Sequence, residues 1–217
     1  MLTKVDNAQI ETALGEAAAR LASKGLLVPG DTLSQRIPEQ DAFVSVQISA
    51  TRDVTPVFEW ARLSAPRQGL HHRIYSARPD VGAIATGALP WTSRLARLDL
   101  SMPAVFDEQV RHLGIEAKRV NVRSMERLME ALSNGANAYC LDEMALCFGM
   151  NLERLLMNVE ILEKCAESFI LAQAARDKVK RIPWLIRFIA NGRLKKDQRD
   201  AAARHLRGER SIMKAGY

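Results

Sequence analysis

The side chains with which this 217-residue chain could do chemistry are few: four histidines, three cysteines and the adjacent acidic residues Asp142 and Glu143. His71 and His72 stand side by side in HHRIYSA, and an imidazole can give or take a proton near neutral pH. A histidine pair on a helix more often supplies one buried hydrogen-bonding ring and one exposed neighbour, so both readings stay open. Asp142 and Glu143 offer oxygen donors that suit a hard cation such as Mg²⁺, or a solvated turn. Cys140, Cys147 and Cys165 are odd in number and form no C-x-x-C pair, which argues against a disulfide framework and a zinc knuckle. Buried free thiols are expected. Neither G-x-G-x-x-G nor G-x-x-x-x-G-K-[ST] occurs, so dinucleotide and P-loop phosphate cradles are disfavoured.

The elements that must position these residues can be read from periodicity and turn residues. Residues 6–24 carry Ile10, Leu14, Ala17 and Leu21 at helical spacing, with Gly25 where such a helix ends. LLVPGDTLSQRIPEQDAFVSVQI suits short antiparallel strands joined by tight turns. The stretch from Arg67 to Ala77 reads as a helix ended by Pro79, and GAIATGA as a buried strand. Trp91–Leu98 and Asp107–Leu113 read as helices, AKRVNV as a strand, and Ser124 as the cap of MERLMEAL. ANAYCL and MALCF form a candidate hairpin about Asp142 and Glu143. From Asn151, a plausible N-cap, Leu155, Val159, Leu162, Ala166 and Phe169 trace one apolar face over some twenty-five positions. Beyond Ala175, Pro183 and the apolar island WLIRFI precede Gly192, which is expected to separate them from a last helix at 196–206. Irregular alternation with several antiparallel pairs points to a layered α/β or α+β domain and away from a doubly wound one.

HHRIYSARPDVGAIATGALPWTSRLA, with Arg78-Pro79-Asp80 intact, resembles the central signature of the class II aldolase/adducin superfamily. GDTLSQR at 30–36 resembles the family's G-N-x-S-x-R turn, and NLERLLMNVEILEKCAESFILA its helix after the last metal ligand. The resemblance covers roughly residues 8–175. It implies an α/β fold, a three-layer α/β/α domain with a mostly antiparallel central sheet, over 1–175, followed by a basic helical C-terminal extension, 176–217. It also implies a cyclic tetramer with sites between subunits.

In that family three histidines hold a zinc ion that stabilises an enediolate during carbon–carbon cleavage. Here the H-x-H positions fall on Thr86 and Ala88, and the third on Glu143, or on Asp142 if the register slips by one. None is imidazole, so a three-histidine zinc site is lost and no metal ligand is assigned. The family's catalytic glutamate falls on Arg67, and its phosphate-binding serines near Ala65 and Pro66. What the resemblance leaves is a candidate catalytic set of Arg67, His71 and Glu143, with Asp31, Ser34 and Thr86 toward substrate. The expected function is aldolase-like, on a small sugar-derived or hydroxy-carbonyl compound. The alternative is a non-catalytic, adducin-like binding or assembly protein. No cofactor is expected beyond a divalent cation at Asp142/Glu143.

The net charge of +6 is uneven: residues 176–217 hold 13 Lys/Arg against 4 Asp/Glu, and residues 1–175 hold 18 against 21. A basic tail invites nucleic acid or a membrane surface, but charge confined to one end more often reports a solvated face or subunit contact. A homo-oligomer is therefore the expected partner, with small molecules possible, nucleic acid excluded and a bilayer surface disfavoured. With no signal-type N-terminus and no long apolar run, a cytoplasmic location is expected.

Overall fold

The structure is a computed structural model describing residues 6–50, 55–66, 69–120, 124–176 and 178–212. Helix α1 (Asn7–Ser23) starts on the Asp6 side chain, which accepts from Ala8 N, and ends before Gly25 at φ +67°. Strands β1 (Thr32–Ile37) and β2 (Ala42–Gln47) pair antiparallel across a single 3₁₀ turn, Pro38–Gln40, and β3 (Phe58–Arg62) adds to β2. After α2 (Gly69–Ala77) come β4 (Ala83–Gly87), α3 (Pro90–Arg97), β5 (Met102–Pro103) and α4 (Asp107–His112). Next are β6 (Glu116–Val120), α5 (Met125–Leu132), β7 (Ala138–Leu141) and β8 (Met144–Gly149), then α6 (Leu152–Ala174) and α7 (Trp184–Leu206).

One eight-stranded sheet runs in the order β3-β2-β1-β4-β8-β7-β6-β5. Every pairing is antiparallel except β6 with β7, which are joined through α5. Helical layers cover both faces, giving the expected three-layer α/β/α sandwich. The pleat sends alternate residues to opposite faces. Ala83, Ala85, Ala138, Cys140, Ala145 and Cys147 pack with α1, α3 and α6, whereas Ile84, Tyr139, Leu146 and Phe148 pack with α2 and α5. Small residues on the first face let the long α6 approach closely. At its entry a Cβ on Gly149 would stand 2.3 Å from Leu155 N, and one on Gly82 would stand 2.1 Å from Met150 O, so only glycine fits either position.

The sequence expectation at Gly192 is corrected. It lies inside α7, which is continuous from Trp184 to Leu206. A glycine in a helix interior costs about 1 kcal/mol, and α7 offsets this by packing Leu194, Gln198, Ala201 and His205 against the body. Gln198 donates to Gly135 O and Asn137 Oδ1, His205 Nδ1 lies 2.7 Å from Pro79 O, and Asp197 pairs with Arg111. No helix among the described residues is long and apolar enough to cross a membrane. All three cysteines are free and buried. Burial pushes the Cys140 and Cys165 thiols up to about 12 and Cys147 up as well, so none is a ready nucleophile at neutral pH.

Candidate functional site

Helix α2 crosses the sheet over β1 and β4, and its side chains meet theirs in one hydrogen-bonded chain. The Tyr75 hydroxyl lies 2.8 Å from Ser34 Oγ, Ser34 Oγ lies 2.8 Å from His71 Nδ1, and His71 Nε2 lies 2.7 Å from Thr86 Oγ1. The positions follow from period: His71 and Tyr75 are four apart on one helix face, and Ser34 and Thr86 project to that side as Ile84 does. Three of the candidate residues, His71, Ser34 and Thr86, are thus brought together. Tyr75, which is not among the candidate site residues of the sequence, belongs with them; its i+4 spacing from His71 is the available signal.

The proton order along this chain can be assigned. Tyr75 is fully buried, and among the described residues Ser34 is its hydroxyl's hydrogen-bond partner. A buried phenol that only accepted would leave its proton unmatched, at a penalty of about 1–3 kcal/mol. Tyr75 therefore donates to Ser34, Ser34 donates to His71 Nδ1, and His71 carries its proton on Nε2 and donates to Thr86 Oγ1. Burial raises the Tyr75 pKa and lowers that of His71 to about 4, so both groups are neutral at pH 7. The one proton of the chain not committed within it belongs to the Thr86 hydroxyl, and Thr86 is only 9% exposed.

The surroundings are rigid. Arg36, from the S-x-R part of the β1 turn, is buried and donates to the carbonyls of Tyr75, Arg78 and Val81, so it caps the end of α2 and stacks 4.9 Å from the Tyr75 ring. Asp31 is buried and accepts from Val28 N at 2.8 Å and Ala88 N at 3.1 Å. It holds the end of β4 against the start of β1, and a Cβ on Gly87 would come within 2.3 Å of its carboxylate. Across the sheet, Glu163 of α6 accepts from Trp91 N, Thr92 N and the Thr92 hydroxyl at 2.5–2.8 Å, so its carboxylate fixes the start of α3 immediately after Ala88. Glu163→Ala is expected to lose about 2 kcal/mol, because three bonds to a charged acceptor disappear together; a urea titration at pH 7 would measure it, and a loss below about 0.5 kcal/mol would contradict this role.

Glu143 is placed elsewhere. With Asp142, whose φ is +35°, it forms the exposed two-residue tip of the β7–β8 hairpin between Leu141 and Met144. Arg67 lies outside the described residues. His72 is buried, 3.1 Å from Leu63 O and packed near the Phe43 ring. Among the described residues no group of three His, Cys, Asp or Glu converges as a metal site would require. At the positions that the resemblance assigns to zinc, the described residues offer few donors. Both ring nitrogens of His71 are engaged, Thr86 receives the His71 proton, Ala88 has no side-chain donor, and Glu143 sits at a solvated tip.

The fold as a whole matches solved structures. L-fuculose 1-phosphate aldolase superposes with a TM-score of 0.72 at 17% identity, over 88% of this chain and 98% of that one. This is the class II aldolase fold. The L-fuculose 1-phosphate aldolase of Glaciozyma antarctica PI12 is similar (TM-score 0.69, 18% identity, 95% of this chain and 92% of that one), as is an aldolase II superfamily protein from Pseudomonas syringae (0.67, 16%, 96% and 98%). Neither a family model nor a curated sequence matches this chain. What aligns with those aldolases is backbone, and in this chain the aldolase-like fold carries a hydroxyl–imidazole–hydroxyl chain beneath α2.

Proposed function

We propose that this chain uses the class II aldolase-like fold as a non-catalytic binding or assembly scaffold, akin to the adducin branch, in place of zinc-dependent cleavage. The observation that carries the reading is the closure of His71: both nitrogens are bonded within the protein, and the residue opposite, Thr86, accepts its proton. A catalytic base needs an open nitrogen within reach of substrate, and a zinc ligand needs a lone pair directed at the ion. Self-association, a tetramer by the resemblance, and a cytoplasmic location belong to the same proposal.

A second reading keeps acid–base chemistry on a small sugar-derived or hydroxy-carbonyl compound. It is favoured by the Thr86 hydroxyl proton, which the chain leaves able to hydrogen-bond a carbonyl oxygen, with Arg67 four residues before His71 in the sequence.

Metal content of the purified protein by plasma mass spectrometry, paired with thermal shifts on adding Zn²⁺, Mn²⁺ or Mg²⁺, separates these readings from a zinc enzyme. Substoichiometric zinc and an unchanged midpoint are expected. One zinc per chain, with a raised midpoint that His71→Ala abolishes, would overturn the scaffold reading. Solvent-deuterium exchange at the carbon beside the carbonyl of dihydroxyacetone phosphate, lost in Thr86→Val, would establish the second reading instead.

A further inference from the structure

Helix α7 has two unlike halves on its outward side. Its inward side is continuous, with Arg187, Ala190 and Asn191 half-buried and Leu194, Gln198, Ala201 and His205 buried against the body. On the first two turns, the opposite side presents Trp184 (68% exposed), Leu185 (53%), Phe188 (71%) and Ile189 (48%), the Trp184 and Phe188 rings 6.3 Å apart. On the next two turns it presents Arg193, Lys195, Lys196 and Arg199, all exposed. Lys178, Lys180 and Arg181, also exposed, lead into the helix. From 178 to 196 there are seven Lys/Arg and no Asp or Glu. At about 1.5 Å per residue, an apolar patch flanked at both ends by cations runs roughly 20 Å along one helix face.

From this arrangement we propose that the outward face of α7 docks on an anionic lipid bilayer surface. The site beneath α2 plays no part in this, so the proposal goes beyond the scaffold reading and stands or falls separately from it. Exposed aromatic and aliphatic side chains along a helix lying in the interfacial plane enter the acyl boundary, and Lys and Arg at its ends meet the headgroup phosphates and carboxylates. Charge complementarity selects this occupant over a two-fold contact with a second copy, which would set a predominantly cationic face against itself. Nucleic acid would satisfy the cations and leave Trp184 and Phe188 in water. The body anchors α7 through its inward side, so the outward face is presented on a fixed support and not on a loose tail.

The test is co-sedimentation of the full chain with phosphatidylcholine vesicles containing about one-third phosphatidylserine, against vesicles of phosphatidylcholine alone, with tryptophan emission recorded. Expected are binding to the anionic vesicles with a blue shift, release on raising salt to about 0.5 M, and little binding to the neutral ones. Trp184→Ser/Phe188→Ser and Lys195→Glu/Lys196→Glu should each weaken binding at least about tenfold. Because all four side chains are exposed, the thermal midpoint should be unchanged. Absence of binding at low salt, equal binding to neutral vesicles, or binding insensitive to the apolar pair would overturn the proposal. So would a concentration-dependent oligomer whose formation buries Trp184 and blocks vesicle binding, which would give the face to a second copy. Duplex DNA bound more tightly than anionic vesicles, without dependence on Phe188, would give it to nucleic acid.

Discussion

Arg78→Ala is expected to lower the unfolding free energy by about 3–5 kcal/mol, enough to leave much of a protein of ordinary stability unfolded at 37 °C. All five N–H groups of this buried guanidinium are used. Nε and Nη2 form a fork onto the two Asp80 oxygens at 2.8 and 2.7 Å, Nη2 also reaches Asn137 Oδ1, and Nη1 donates to the carbonyls of Leu132 and Ala136 at 3.0 and 3.1 Å. One side chain thus joins the end of α2 to the end of α5 and the start of β7. Truncation would leave the Asp80 carboxylate buried without its partner and would remove the guanidinium donors from Leu132 O at the end of α5 and from Ala136 O in the loop before β7. Removing Asp80 as well should recover part of the loss, because the uncompensated charge goes with it. A urea-denaturation cycle over Arg78→Ala, Asp80→Ala and the double variant measures this. If the double loss equals the sum of the singles, the pair is not coupled and this account of the Arg-Pro-Asp step fails.

That step shows what the sequence could and could not disclose. Arg78-Pro79-Asp80 was legible as a marker of the fold, but its partners at Leu132, Ala136 and Asn137 lie more than fifty residues away, so its task was not. Local chemistry was readable where one residue acts on its neighbours. Asn151 accepts from Arg154 N and Ser124 from Arg127 N, as N-caps do, and Asp142-Glu143 makes the two-residue hairpin. Gly192 misled because its cost is local while the packing that outweighs it is tertiary. Glu163 gave no signal at all: a glutamate in an amphipathic helix reads as solvated, and only the fold brings it to the start of α3. At the candidate site, Thr86 and Ala88 could be reached by counting along the chain to where the resemblance puts the family's H-x-H. That Thr86 would close onto His71 through Nε2 depended on register, Thr32 opposite Thr86 and Ser34 opposite Ile84, which no single segment contains.

Stability is expected to fall steeply as pH drops from about 6.5 to 4, and the histidines supply the sign. Burial holds His71 at about 4; burial, with Arg154 and Arg111 adjacent, holds His112 at about 4; and burial lowers His205, which faces Arg36, Asp80 and Glu39. In the unfolded chain each titrates near 6.5. Between the two values the unfolded chain binds protons that the folded chain refuses, so the stabilising contribution is complete above about 6.5 and is lost as pH falls through the folded value. Each unit of depression corresponds to about 1.4 kcal/mol; after allowance for partial exposure, the group together should lose a few kcal/mol. Urea midpoints at pH 7.5 and 4.5 would register this as a large fall, and His71→Gln, which keeps a donor and an acceptor, should flatten the profile. Protonating His71 would put a proton on Nδ1, forcing Ser34 to accept and Tyr75 to reverse, so the hydroxyl chain and the low pKa support one another. A His71→Gln profile as steep as the parent's would mean that the imidazole already titrates normally, and would return His71 to the list of available bases.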